Sequence, residues 1–212
     1  MIAACSLLRR RSADSVDVFK KHWLEVHGPL AAELHGVKRY LQSHFDNEAA
    51  DTTDAARAIN VNGLAEMWFE DEADRQVCYD SEQEKACDVD SLLFIGATAR
   101  LVTDVVPHVP LSGKPARFKN VFLVLERGQP EKTIDFAELT RRGGFQGLIE
   151  HKVTKAGAAP TQKRESVDVS IRRIITAASD NADDIVIARK IISDGGKDPN
   201  VAAFSCVEYY LV

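Results

Sequence analysis

The chain has 212 residues, enough for one large domain or two small ones with a real core in either case. Its net charge of −5 is spread with both signs interspersed, and no basic stripe carries interleaved aromatics, which sets nucleic acid aside as a partner. No apolar run approaches membrane-spanning length, and Cys5, Cys78, Cys87 and Cys206 show no C-x-x-C spacing, so the expectation is a cytoplasmic protein with reduced thiols and no membrane partner.

In chain order, the apolar run Ile2 to Leu8 predicts a first strand, and its charges follow rather than precede it, the reverse of a signal peptide. Asp14 or Ser15 can cap a helix whose stripe runs through Phe19, Trp23 and Val26, with Gly28-Pro29 as the expected stop. A second strand is expected from Val37 to Phe45, then a long polar loop from Asp46 to Asn60, and a third strand from Val61 to Phe69. Helix from Asp71 to Leu93, interrupted near Asp80-Ser81, and a fourth strand from Ile95 to Val106 complete the order strand-helix-strand-strand-helix-strand.

That order then repeats after a proline- and glycine-containing linker at 108–115. Strands are expected at Phe118 to Glu126, Leu148 to Val153, Val167 to Ala177 and Val201 to Val212, with helices at Ile134 to Arg142 and Asn181 to Ser193. The fold class implied is α+β: two ferredoxin-like βαββαβ repeats, 1–107 and 116–212, whose antiparallel sheets pack face to face as a barrel within one chain. A monomer then suffices for the barrel, with an outer sheet edge or helix face left for a homodimer.

Side chains two apart on a strand share a face, so Tyr40, Gln42 and His44 fall together, and so do Asn62, Leu64, Glu66 and Trp68. Placing both sets inside the barrel makes a chamber for a small-molecule substrate. His44 is then the candidate general base, Tyr40 a donor to a developing oxyanion, and Glu66 a second acid or base. Gln42, Trp68, Asn62, His22 and His151 are the candidate substrate contacts. The bland readings are a strand-end histidine for His44, a structural partner for Glu66, and a packed interface tyrosine for Tyr40. His22 and His27 lie five apart, the wrong spacing for a metal pair on one helical face, so no metal site is expected. His27 reads as a structural residue at a helix end, and Trp23 as core. No Walker motif or G-x-S-x-G elbow occurs.

The motif F-x-x-H-W-x-x-x-H-G-P-L at Phe19, His22, Trp23, His27, Gly28, Pro29 and Leu30 resembles the EthD family of the dimeric α+β barrel superfamily. The likeness continues through Gly36-Val37, Tyr40-x-Gln42-x-His44, Gly63-x-x-Glu66-x-Trp68-Phe69 and Asp90 to Ile95, roughly residues 2 to 106. The second half lacks the motif, and counting from Gly36 and Gly147 puts His151 where Tyr40 stands. The resemblance implies a cofactor-free dehydratase, cyclase or isomerase acting on an aromatic, polyketide or lactone-like compound. Its alternatives are a haem- or quinol-linked oxidoreductase, with His151 or His44 as axial ligand, and a non-catalytic binding protein.

Overall fold

The computed structural model describes residues 1–127, 133–157 and 164–212. β1 (Ile2–Arg10) leads into α1 (Val16–His22), one π-type turn (Trp23–His27) and α2 (Gly28–Ala32). β2 (Arg39–Asp46), α3 (Asp54–Ile59), β3 (Gly63–Phe69), α4 (Glu72–Tyr79), α5 (Glu82–Ser91) and β4 (Ile95–Val109) complete the first half. The second half comprises β5 (Phe118–Leu125), α6 (Phe136–Arg142), β6 (Gly147–Ala156), β7 (Glu165–Ser166), β8 (Ile171–Ser179), α7 (Ala182–Ser193) and β9 (Val201–Tyr210). Among the described residues, no helix is long and apolar enough to cross a membrane.

The strands run β1-β3-β2-β9-β5-β8-β6-β4, and β4 pairs back to β1, which closes an eight-stranded antiparallel barrel. The fold is therefore mixed α+β, as expected. The halves meet at two seams, β2 against β9 and β4 against β6. Alternate residues from both halves fill the interior, among them Leu7, Leu41, Phe45, Trp68, Leu123, Ile174 and Phe204. The helices lie outside, one apolar layer centred on Phe19, Trp23 and Phe94 and another on Leu139, Ile185 and Ile192. Ser15 Oγ accepts from the Val18 N–H, the cap expected from the sequence, and Ser81 Oγ accepts from the Glu84 N–H after the break at Asp80-Ser81.

Two expectations are corrected. Gly28-Pro29 does not stop the first helix. The Gly28 N–H reaches back to the Trp23 carbonyl in a π-type turn, and Pro29 sits in the first turn of α2, where its missing N–H costs nothing. Residues 46–60 are not a free loop either. Thr53 caps α3, its N–H donates to the Ala203 carbonyl at 3.1 Å, and its Oγ1 accepts from the Ala203 N–H at 3.0 Å, so β9 anchors the connection.

Candidate functional site

Register decides where the candidate residues go. β2 pairs with β3 so that Tyr40 faces Met67, Gln42 faces Ala65 and His44 faces Gly63. Cross-strand partners share a face, and Met67, Ala65 and Gly63 look toward the helices, so Tyr40, Gln42 and His44 do too. They are not in the barrel interior. The expectation that both polar faces point inward fails because each strand's alternation is read alone, whereas the pairing sets their relative phase.

Under the helices these three side chains join one buried network. The Trp23 indole lies 4.3 Å from the His44 ring, nearly parallel to it. It fits there because Gly63 beneath it has no side chain: a Cβ would come within 2.4 Å of the indole. Trp23 Nε1 donates to Tyr40 Oη at 3.2 Å, and Gln42 Nε2 donates to Tyr40 Oη at 2.9 Å and to the Trp23 carbonyl at 3.0 Å. With the Gln42 amide nitrogen so used, its Oε1 accepts from His44 Nε2–H at 2.8 Å. Burial, helped by Lys20, pushes the His44 imidazole down to about 3, so it is neutral. Burial pushes the Tyr40 phenol up to about 12. Gly28 belongs to the same unit, since a Cβ there would lie 3.0 Å from Leu211 and 3.1 Å from Gln42 Nε2.

Asp90, at the end of α5, gathers the two helical histidines. His27 Nδ1 lies 2.9 Å and His22 Nε2 3.1 Å from its carboxylate. The bond from His27, then that from His22, lowers the Asp90 pKa against burial. As the carboxylate accepts, His27 Nδ1 carries the hydrogen of that bond. His27 and Tyr40 both line a cavity of about 60 Å³ between the sheet and the helices, together with Ser6, Tyr79, Thr98 and Arg164. On the same measure a water needs ~10–15 Å³, so several waters fit the cavity as it stands, and an aromatic ring requires it to widen.

The barrel interior holds a second polar cluster. Lys119 Nζ lies 3.4 Å from Glu66 and is bonded to Glu208, while His151 Nε2 lies 2.9 Å from Glu66. His151 Nδ1 faces Thr103 Oγ1 at 3.2 Å and Cys5 Sγ at 3.7 Å. Burial alone would raise Glu66, but Lys119 and then His151 outweigh it and hold the carboxyl down to about 2. Burial alone would lower His151, but the Cys5 sulfur and the Glu66 carboxylate outweigh it and push the imidazole up to about 10. Burial is overcome at Lys119 as well, where Glu208 and Glu66 hold the ammonium charged. Two carboxylates thus face two cations in a buried, balanced set.

Comparison with known proteins adds a family match to part of the chain. Residues 14–97 match the family model described as EthD domain. An EthD family protein from Bacillus halodurans c-125 is similar to the chain at 17% identity and TM-score 0.41, over 49% of this chain and 98% of its own. Over the whole length the chain resembles an anthrone oxidase-like protein, at 11% identity and TM-score 0.56, covering 99% of this chain and 93% of that one. A putative monooxygenase from Lactobacillus acidophilus NCFM is similar at 8% identity and TM-score 0.52, over 99% and 94%. These two likenesses show a shared fold. No curated protein matches the sequence at a significant level.

The EthD signature can now be read physically: Phe19, Trp23, Gly28, Tyr40, Gln42 and His44 pack or bond to one another, and His22 and His27 share Asp90. Of the candidate residues, Tyr40, Gln42, His44 and His22 thus lie on the helix side of the EthD domain. Glu66, Trp68 and His151 lie inside the barrel, Trp68 edge-on to His151 at 5.9 Å. Asn62 joins neither group, because its Oδ1 accepts from the Arg10 N–H at 3.0 Å and ties the ends of β1 and β3. The equivalence of His151 with Tyr40 also fails, since β6 begins at Gly147 itself whereas β2 begins at Arg39. His151 therefore points inward and Tyr40 outward. His27 reads as structural in sequence, and Tyr79, Thr98 and Arg164 give no signal there, because separate parts of the chain bring them to the cavity. Neither histidine suits haem: His44 Nε2 bonds to Gln42 Oε1, and the His151 ring is completely buried, with Glu66 2.9 Å from Nε2 and Thr103 3.2 Å from Nδ1.

Proposed function

We propose that the chain is an acid–base enzyme for a small oxygenated compound, aromatic, polyketide-like or lactone-like, and that the reaction takes place in the cavity between sheet and helices of the EthD domain. The observation that carries the reading is His27, aimed by Asp90, on the wall of a cavity that Tyr40 also lines. His27 Nε2 takes the proton from an acidic C–H or O–H of the substrate, and Asp90 stabilises the imidazolium that results. Tyr40 Oη already accepts from Trp23 and Gln42, so its own hydrogen is left for a third oxygen. That hydrogen donates to the oxygen on which negative charge develops. His44 acts through Gln42, which holds Tyr40, and is a positioning residue. Glu66, Lys119, His151 and Glu208 are the structural centre of the barrel.

The two halves are read as copies of one βαββαβ unit, 1–107 and 116–212, joined by 108–115. Supporting this, the strands take the same relative order in each half, β4-β1-β3-β2 and β9-β5-β8-β6. The fold likeness to an anthrone oxidase-like protein and a monooxygenase leaves an oxidoreductase reading beside the first. It uses the same dyad: removal of a phenolic proton by His27 yields an electron-rich phenolate on which dioxygen can act.

The test is a thermal-shift screen of phenols, lactones and 1,3-diketones, followed by turnover and oxygen uptake on whatever binds. His27→Gln and Asp90→Asn are expected to lower turnover by roughly 10²-fold or more with the protein still folded. A folded His27→Gln variant with full turnover overturns the assignment, and oxygen uptake coupled to turnover selects the oxidoreductase reading.

A further inference from the structure

We infer that Arg164, supplied by the second half, sets the specificity of the EthD cavity, and that the ligand it selects carries an anionic oxygen, a carboxylate or phenolate. The inference rests on the cavity reading above and names its ligand class.

Arg164 is pinned in place by its own chain. Glu165 and Ser166 form β7, which pairs in parallel with Ala97 and Thr98 of β4, and the Val167 N–H donates to the Thr98 carbonyl at 3.1 Å. The guanidinium passes beneath α5 with its side chain 2% exposed. Nη1 donates to Asp88 Oδ1 at 2.8 Å, and Nη2 bonds to the Asp88 carbonyl and Ser91 Oγ. A segment of the second half thereby walls the cavity of the first.

Two polar atoms on that wall have no partner among the described residues: Arg164 Nε and Thr98 Oγ1, both buried and both on residues lining the cavity. Native proteins rarely leave such groups unmet, so an occupant of the cavity is expected to satisfy them. Both can donate, and Arg164 Nε can do nothing else, so the occupant must present acceptors. A carboxylate offers two oxygens in the geometry a guanidinium and a neighbouring hydroxyl recognise. Charge agrees with this. Asp88 Oδ1 is shared between Arg164 and Arg100, and the next acid, Glu84, has its carboxyl pushed up by burial, so the wall can accept a negative charge. Ordered water is the occupant that needs no ligand, and it is an outcome of the test.

Salicylate and catechol differ at one ring substituent, a carboxylate against a hydroxyl, and titrating each into the full chain by calorimetry separates the cases. The wild type is expected to bind salicylate at least tenfold more tightly than catechol. Arg164→Gln is expected to erase that preference while leaving catechol within about twofold. Thr98→Val keeps every bond between Arg164 and α5, and a smaller loss confined to salicylate is expected, so the inference remains testable if Arg164→Gln does not fold. Catechol binding with no gain for salicylate, or an equal loss of both ligands in Arg164→Gln, overturns the role of Arg164 alone. No binding of either ligand, with water as the only occupant, overturns the cavity reading together with it.

Discussion

The EthD domain's helix-side network and the barrel interior solve the same problem, burial of polar groups, in opposite ways. In the network around Trp23 the groups are neutral, and each hydrogen bond passes to the next: His44 to Gln42, Gln42 to Tyr40 and the Trp23 carbonyl, Trp23 to Tyr40. Inside the barrel the groups are charged and pair as ions: Glu66 and Glu208 with Lys119, and Glu66 with His151. The two histidines record the contrast, His44 held down to about 3 and His151 pushed up to about 10. A neutral network can leave one hydrogen for a guest, the role proposed for Tyr40. The ions pair chiefly with one another, although Glu208 Oε2 and Trp68 Nε1 have no hydrogen-bond partner among the described residues. The contrast explains why the reaction is placed in the first region although the second is richer in titratable groups.

Breaking the ionic region should have the largest effect. Lys119→Met leaves Glu66 and Glu208 facing each other without their cation, and a loss of about 3–5 kcal/mol in urea-unfolding free energy is expected. A Lys119→Met, Glu208→Met double variant should recover part of that loss; if it does not, charge balance is not what holds the cluster together.

The contrast also fixes a pH profile. His44 is lowered, so its contribution is present above about 6.5 and is lost as pH falls toward about 3, while the unfolded chain takes up the proton. His151 is raised, so its contribution is present below about 6.5 and is lost as pH rises toward about 10. Glu66 is lowered and adds a further loss as pH falls from about 4.5 toward about 2. Stability should peak near pH 6.5, with limbs no steeper than about 1.4 kcal/mol per pH unit for each group. The acid limb above pH 5 should flatten in His44→Gln and the alkaline limb in His151→Gln, and exchange of those two assignments would refute the comparison.

Gly63→Ala probes the neutral region by volume alone. A methyl 2.4 Å from the Trp23 ring should cost about 1–3 kcal/mol and shift tryptophan fluorescence, with little effect on the ionic cluster. Tyr40→Phe is expected to cost least, about 1–2 kcal/mol, by removing the acceptor for Trp23 and Gln42. Its effect on turnover should exceed its effect on stability, and equal small effects on both would return Tyr40 to a packing role.

Much of the EthD half was legible in sequence because its information is local. Ser15 as a cap, Trp23 as core and the break at Asp80-Ser81 each depend on a few neighbouring residues. The α+β class followed from the order of the elements. The faces of β2 were not legible, because alternation groups Tyr40, Gln42 and His44 together without saying which way they point. His27 was underrated for a related reason. Its distance to Asp90 spans 63 positions of chain, and without that contact it is a histidine at a helix end.

The sequence by itself determined most of the elements, the composition of each strand face and the EthD-like motif, since these are set by covalent spacing and side-chain type. Only the tertiary structure decided what each face meets. The β2–β3 register turned the Tyr40 set under the helices, barrel closure brought Lys119, Glu208 and His151 of the second half against Glu66, and β7 carried Arg164 to the cavity of the first. Contacts across so many residues depend on how strands pair and layers close, which no local stretch of chain encodes.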